Sequence, residues 1–181
     1  MSGISVQDRC RGVLLGLAAG DRNGGPIRMA VRLAESLLEL GRFDPTDIVG
    51  RYLCWWREGA FDTGPVSGRA LELLAAGKSS SEASAQVHQE FAGQTAGCNP
   101  AHRSPPLAML ASLADDDLPA CAVAEARLTH HDPLAGDVAA AVTLPSPAPF
   151  PVTRTLWQNQ RPESAPFVPS LTGPRIGFKE G

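Results

Sequence analysis

Apolar residues over the first 142 positions recur at spacings of three and four, the period that lines one face of an α-helix. Val6, Cys10, Val13, Leu14, Leu17 and Ala18 fall on one such face, and Gly20 ends the segment. Gly12, Gly16 and Gly20 strip side chains from a second stripe of the same helix. Each glycine costs about 1 kcal/mol of helix propensity against alanine, so the spacing predicts a backbone or ligand packed closely there.

The same period continues along the chain. A second helix follows Pro26, with Ala30, Leu33, Ala34, Leu37 and Leu38 on its buried face and Gly41 as its stop. Asp44-Pro45-Thr46-Asp47 opens a third: a carboxylate cap, a proline whose missing N–H does no harm, and an acid in the first turn. That helix runs to about Glu58 and buries Ile48, Tyr52 and one or both of Trp55 and Trp56. The turn Phe61–Pro65 feeds a fourth, with Val66, Ala70, Leu73 and Leu74 inward and Gly77 at its close. Ser80 or Ser81 caps a fifth, carrying Ala83, Val87 and Phe91.

Gln94 to Pro106 reads as loop, because its prolines remove donors and fix the backbone. Leu107 to Leu113 and Pro119 to Leu128 read as further helices, separated by Asp115-Asp116-Asp117, a solvated cap for the helix behind it. Asp132 and Pro133 repeat the cap-and-proline device and open a last helix through Asp137, Val138, Ala141 and Val142. No alternating run predicts a strand, so the expected class is all-α.

The pattern breaks after Val142. Residues 143–181 hold eight of the sixteen prolines, and no helical spacing survives more than one turn, so the expected organisation is a helical domain over 1–142 and an irregular, disordered tail.

Composition narrows the partners. With 16 basic and 19 acidic residues and a net charge of -3, the chain lacks the basic patch that nucleic acid or an anionic membrane requires. Cys10, Cys54, Cys98 and Cys121 form no CxxC pair, which predicts reduced thiols. The apolar run Gly12–Gly20 is too short to span a bilayer and has no cleavage pattern. A cytoplasmic protein is expected.

Candidate chemistry gathers in three places. Asp21 stands where the first helix hands over to a glycine-rich turn, a position where an acid is ordinarily a cap or a solvated charge. The long loop AGCNPAHRSPPLAM, Ala96 to Met109, is of the kind that carries function in compact domains. THHDP, Thr129 to Pro133, offers two imidazoles, of which His131 reads as solvated. Cys98 with His102 four residues on has the residue types of a nucleophile and its base, without evidence of the geometry such a pair needs.

Four blocks, GVLLGLAAGD, MAVRLAESLLELGRFDPTDIVGRYLCWWREGAFDTG, AGCNPAHRSPPLAM and ARLTHHDPLAGDVAAAV, occur in this order between Ser5 and Val142. Together they resemble the ADP-ribosylglycohydrolases, the family of DraG-type enzymes and J-type lens crystallins. The resemblance implies an orthogonally packed helical domain and hydrolysis of the bond between ADP-ribose and a protein side chain. It also implies two magnesium ions, hard cations held by carboxylate oxygens, that position the attacking water.

Carried over residue by residue, the resemblance makes Asp21 the catalytic and metal-binding carboxylate. It puts Asp62 and Gly64 in the turn that approaches the ligand and His130 at the cleft rim. Gly97, Cys98, Asn99 and Arg103 fall in the loop that touches ADP-ribose, with Cys98 in place of the family's asparagine and Asn99 in place of a glycine. Arg103 would pair with a phosphate.

The chain departs from the family at the metal ligands. Gly25-Pro26-Ile27-Arg28 stands where the family has Thr-Asp-Asp-Thr, and no acid lies between Asp21 and Glu35. The family's later Asp-x-Asp-Thr motif falls where this chain has its proline-rich tail, whose only acids are Glu163 and Glu180. The expectation is a chain related to hydrolases that remove ADP-ribose, with magnesium binding and catalysis impaired. Alternatives are a non-catalytic module binding ADP-ribose or an ADP-ribosylated protein, and a truncated product, such as that of an alternative transcript, without independent function.

Overall fold

A computed structural model describes residues 5–22 and 24–144. Among them are eight α-helices and a 3-10 segment, with no strand. The helices are α1 (Val6–Gly20), α2 (Gly25–Leu40), α3 (Pro45–Arg57), α4 (Pro65–Ala75), α5 (Ser80–Glu90), α6 (Asn99–Arg103), α7 (Leu118–Ala126) and α8 (Pro133–Thr143), and the 3-10 segment is Pro105–Met109. The all-α expectation holds. Of the proline-rich tail expected from residue 143, Thr143 instead closes α8, and 145–181 lie outside the described residues.

Helix α2 is the centre of the fold, packing against α1, α3, α6 and the 3-10 segment. Its Met29, Leu33 and Leu37 meet Ile48, Tyr52 and Trp55 of α3 and Leu71 and Leu74 of α4 in one core. The caps that frame these helices follow from local chemistry. Asp44 accepts the amide protons of Thr46 and Asp47 at 3.1 and 3.2 Å, with Pro45 behind it where no N–H is needed. Gly41 takes the left-handed conformation, φ 65°, and its amide returns to the Leu37 carbonyl. Trp55 is buried and Trp56 half-buried against the core.

Several expectations are corrected. The cap of α5 is Ser79, neither Ser80 nor Ser81: its hydroxyl accepts from Glu82 N–H while the Glu82 carboxylate accepts from Ser79 N–H, a reciprocal capping box. Leu38 is 86% exposed, lying off the edge of the face that Leu33 and Leu37 bury. Gln94–Pro106 is not all loop, since Pro100 sits in the first turn of α6, where a proline is tolerated. Leu107–Leu113 is not an α-helix: Pro105 and Pro106 open the 3-10 segment, and the chain leaves it extended at Leu110. Asp115, Asp116 and Asp117 are solvated, but Asp117 occupies the cap position of α7 without a side-chain hydrogen bond.

The glycine stripe of α1 is also not a packing seam. A Cβ at Gly12, Gly16 or Gly20 would meet nothing within 4 Å. These glycines instead border an open groove of about 480 Å³ shared with His102 and Pro105.

Helices α7 and α8 form the tightest pair, where a Cβ on Gly136 would come within 3.3 Å of Val123. Thr143 shares a 2.8 Å hydrogen bond with Ser104, pinning α8 beside α6. The opposite side of α8 is open, with Val138 and Val142 43% and 50% exposed and Ala141 exposed between them.

Candidate functional site

Asp21 closes one helix and opens the next. Its amide returns to Leu17 O, ending α1, while its Oδ2 accepts Ile27 N–H at 2.9 Å in the first turn of α2. Between them Gly24 and Gly25 let the turn Phe61–Gly64 lie directly on the start of α2. A Cβ on Gly25 would stand 2.7 Å from the Phe61 carbonyl oxygen and collide with that of Asp62. Asp62 itself has φ 52°, the left-handed region, so the turn is bent sharply over the glycines. A Cβ on Gly24 would collide with Asp62 Oδ2 and lie 3.1 Å from Asp21 Oδ2. Residues 41 positions apart in sequence thus present their carboxylates at one glycine. On the groove side, His102 Nδ1 lies 3.9 Å from Asp21 Oδ1.

The turn continues into a cleft of about 550 Å³, walled by Thr63 to Ser67, by Gln94 and Ala96 to Asn99, and by His130. Its size suits a small organic ligand. One wall is the N-terminus of α4, where Gly64 has φ 70° and no side chain caps the helix. Pro65 brings no N–H, and the amides of Val66 and Ser67 that follow it have no intrahelical partner, which leaves the positive end of the helix uncapped beside the cleft. Ser67, 1% exposed, adds a buried hydroxyl with no hydrogen-bond partner.

His130 forms the floor, 1% exposed, with Nδ1 sharing a 2.8 Å hydrogen bond with the Thr129 hydroxyl. Nε2 lies under Gly97, where a Cβ would stand 3.0 Å away. Burial, assisted by the Arg103 charge, pulls the imidazole down to about 3, so it is neutral at physiological pH. A neutral imidazole here is a hydrogen-bonding group rather than a counter-ion.

Arg103 does not face the cleft. It is fully buried, its Nε donating to Glu125 Oε1 at 2.7 Å and its Nη2 to the Glu125 carbonyl at 3.2 Å. The Tyr52 hydroxyl donates to the same Glu125 Oε1 at 2.7 Å, and the guanidinium lies 5.4 Å from the Tyr52 ring centre. Every face of Arg103 is occupied by protein, which corrects the expectation of a phosphate contact. Asn99 is likewise spent: Oδ1 accepts from Arg103 at 3.0 Å, and Nδ2 donates to the Thr63 carbonyl at 3.1 Å. Both polar atoms are thus engaged, and at the cleft only the second N–H of Nδ2 is uncommitted. Burial also holds the Tyr52 phenol well above its ordinary range, so it stays protonated.

The structure therefore brings Gly64, Gly97, Cys98 and His130 to one cleft with Asp62 at its edge, and puts Asp21 on the neighbouring groove. Cys98 and His102 line different cavities. His131 is exposed, its ring 5.0 Å from that of His88. Ser67 and Glu125 were not singled out by sequence, and Tyr52 was read only as a core residue. A lone acid within the apolar run from Leu118 to Leu128 was the available sign of Glu125.

A family model described as ADP-ribosylglycohydrolase matches residues 26–145. The chain belongs to the ADP-ribosylglycohydrolase family. No curated protein and no solved structure matches it. The ADP-ribosylglycohydrolase match spans α2 to α8 and hence the whole cleft, while α1 and Asp21 precede it. Among the described residues no helix is long and apolar enough to cross a membrane.

Proposed function

We propose that the chain is an ADP-ribosylglycohydrolase relative that binds the ADP-ribosyl group in the cleft and does not hydrolyse it. The carrying observation is the buried Ser67 hydroxyl, unpartnered at an uncapped helix N-terminus. An anionic group such as a phosphoryl oxygen supplies what that hydroxyl and the α4 amides lack. The absence of a side chain at Gly97 lets its backbone lie close against the neutral His130, and Cys98 is exposed at the cleft wall.

The magnesium chemistry of the family does not fit the residues present. Among the described residues no group of three His, Cys, Asp or Glu side chains is placed to hold a metal. Asp21 already gives one oxygen to Ile27 N–H, leaving Asp62 as the free carboxylate beside it. Hard divalent cations take six or more oxygens, usually from several carboxylates. The four free cysteines accord with a reducing, cytoplasmic setting.

Calorimetry of the full chain with ADP-ribose, with and without magnesium, tests the reading. Binding of equal strength in both is expected. Failure to bind, or magnesium-dependent release of ADP-ribose from a modified protein, overturns it.

A further inference from the structure

The two walls of the cleft come from distant parts of the chain, and a single side chain ties them. Thr63 lies in the turn that leads into α4, whereas Gly97 and Cys98 belong to the loop before α6. Asn99, at the start of α6, donates from Nδ2 to the Thr63 carbonyl at 3.1 Å. That amide has two orientations of similar shape, and only one presents its N–H₂ to a carbonyl. Arg103, one turn along α6, selects it by donating from Nη1 to Asn99 Oδ1 at 3.0 Å.

Arg103 is in turn fixed from the core. Glu125 of α7 accepts from its Nε, and Tyr52 of α3 donates to the same carboxylate oxygen, so the guanidinium has one position. Burial is the largest influence and works against its charge, but Glu125 and Tyr52 together outweigh it, so the guanidinium remains a cation. The planar fork of arginine reaches Glu125 and Asn99 together, which a lysine ammonium at the end of a flexible stem cannot do.

We propose that Arg103 is a positioning residue for ligand binding: paired with Glu125, it orients Asn99 to clamp the Thr63 turn against the Gly97–Cys98 loop and so sets the cleft. The proposal rests on the reading that this cleft binds ADP-ribose. It gives the buried ion pair a role that its position in the core does not by itself require. A displaced Thr63 turn carries Gly64 and the first turn of α4 with it, moving the α4 amides and Ser67 relative to His130.

The test uses the full chain with two variants, Arg103→Lys and Asn99→Ala, the second keeping the ion pair intact should the first fold poorly. Two readouts are taken: ADP-ribose affinity by calorimetry, and amide hydrogen exchange without ligand. Exchange at Gly68, whose amide bonds the Gly64 carbonyl across this turn at 2.9 Å, is expected to quicken about tenfold in Asn99→Ala, the factor that loss of one net hydrogen bond gives, with Ile48 to Tyr52 unchanged. Affinity is expected to fall by at least about tenfold, since small misplacements of binding groups are costly.

Unchanged exchange at the turn overturns the clamp. Quickened exchange with unchanged affinity also overturns it, leaving Asn99 a purely structural tie. If the wild-type chain does not bind ADP-ribose, the functional reading fails, and the clamp is then decided by the exchange data alone.

Discussion

Asp21 Oδ2 accepts the amide proton of Ile27 at 2.9 Å, so the acid that ends α1 is also the cap of α2. Gly24, the formal N-cap of α2, has no side chain to fill that place. Substitution Asp21→Ala is therefore expected to cost about 1 kcal/mol, the usual worth of a capping oxygen. Asp21→Asn, which keeps an acceptor, should cost less. Urea denaturation of the three proteins checks the order.

Gly24 and Gly25 are adjacent yet differ in what a side chain would meet. At Gly25 the obstacles are main-chain carbonyls of Phe61 and Asp62, which cannot rotate away; at Gly24 the nearest atom is the end of the Asp62 side chain. Gly25→Ala is expected to destabilise by about 1 to 3 kcal/mol and to weaken ligand binding through the displaced turn. Gly24→Ala should cost less, because the carboxylate can move. Thermal melts of the two variants decide it, and equal losses would contradict the geometry.

His130 gives a pH signature. Its folded value, about 3, lies below its ordinary 6.5. Between those limits the unfolded chain binds a proton that the folded chain refuses. The stability this neutral imidazole contributes is thus full above about 6.5 and declines as pH falls towards 3, by at most about 1.4 kcal/mol per unit for one proton. Carboxylates titrate in the same range, so the measurement is a difference: His130→Gln should show a shallower loss of stability between pH 6.5 and 4 than the wild-type chain.

The helices were legible from apolar spacing and caps because both are local. Asp44-Pro45-Thr46-Asp47 states its own structure, and Asp132-Pro133 does so again, with Asp132 accepting the Leu134 amide proton at 2.9 Å. The short α6 was not legible, since its Pro100 reads as a breaker until its place in a first turn is known. At the site, Gly64, Gly97, Cys98 and His130 were marked by the family resemblance, and they line one cleft. Arg103 was misread for a physical reason: a phosphate contact and a buried ion pair ask for the same side chain. Its partner, Glu125, lies 22 residues away and is placed by tertiary packing alone.

That buried pair makes its own prediction. Removing Glu125 strands a guanidinium in the core, and Glu125→Ala is expected to cost about 3 to 5 kcal/mol. Replacing both charges together, Arg103→Met with Glu125→Leu, should recover much of that loss, because no buried charge remains. Denaturation of the single and double variants measures the recovery, and purely additive losses would refute the pairing.

Ser67 separates stability from binding. Its hydroxyl is buried without a partner, a situation that costs about 1 to 3 kcal/mol in the ligand-free protein. Ser67→Ala removes the hydroxyl and hence the penalty, so the free protein should be as stable as wild type or more so. If the hydroxyl is held for a phosphoryl oxygen, the same change should weaken ADP-ribose by about tenfold, the loss of one hydrogen bond to a charged acceptor. Adenosine, which has no phosphate, should be indifferent to it. A thermal melt and paired titrations with ADP-ribose and adenosine give the three readings. A destabilised variant would mean that Ser67 already has a partner in the fold, and an unchanged ADP-ribose affinity would remove the α4 terminus from the binding site.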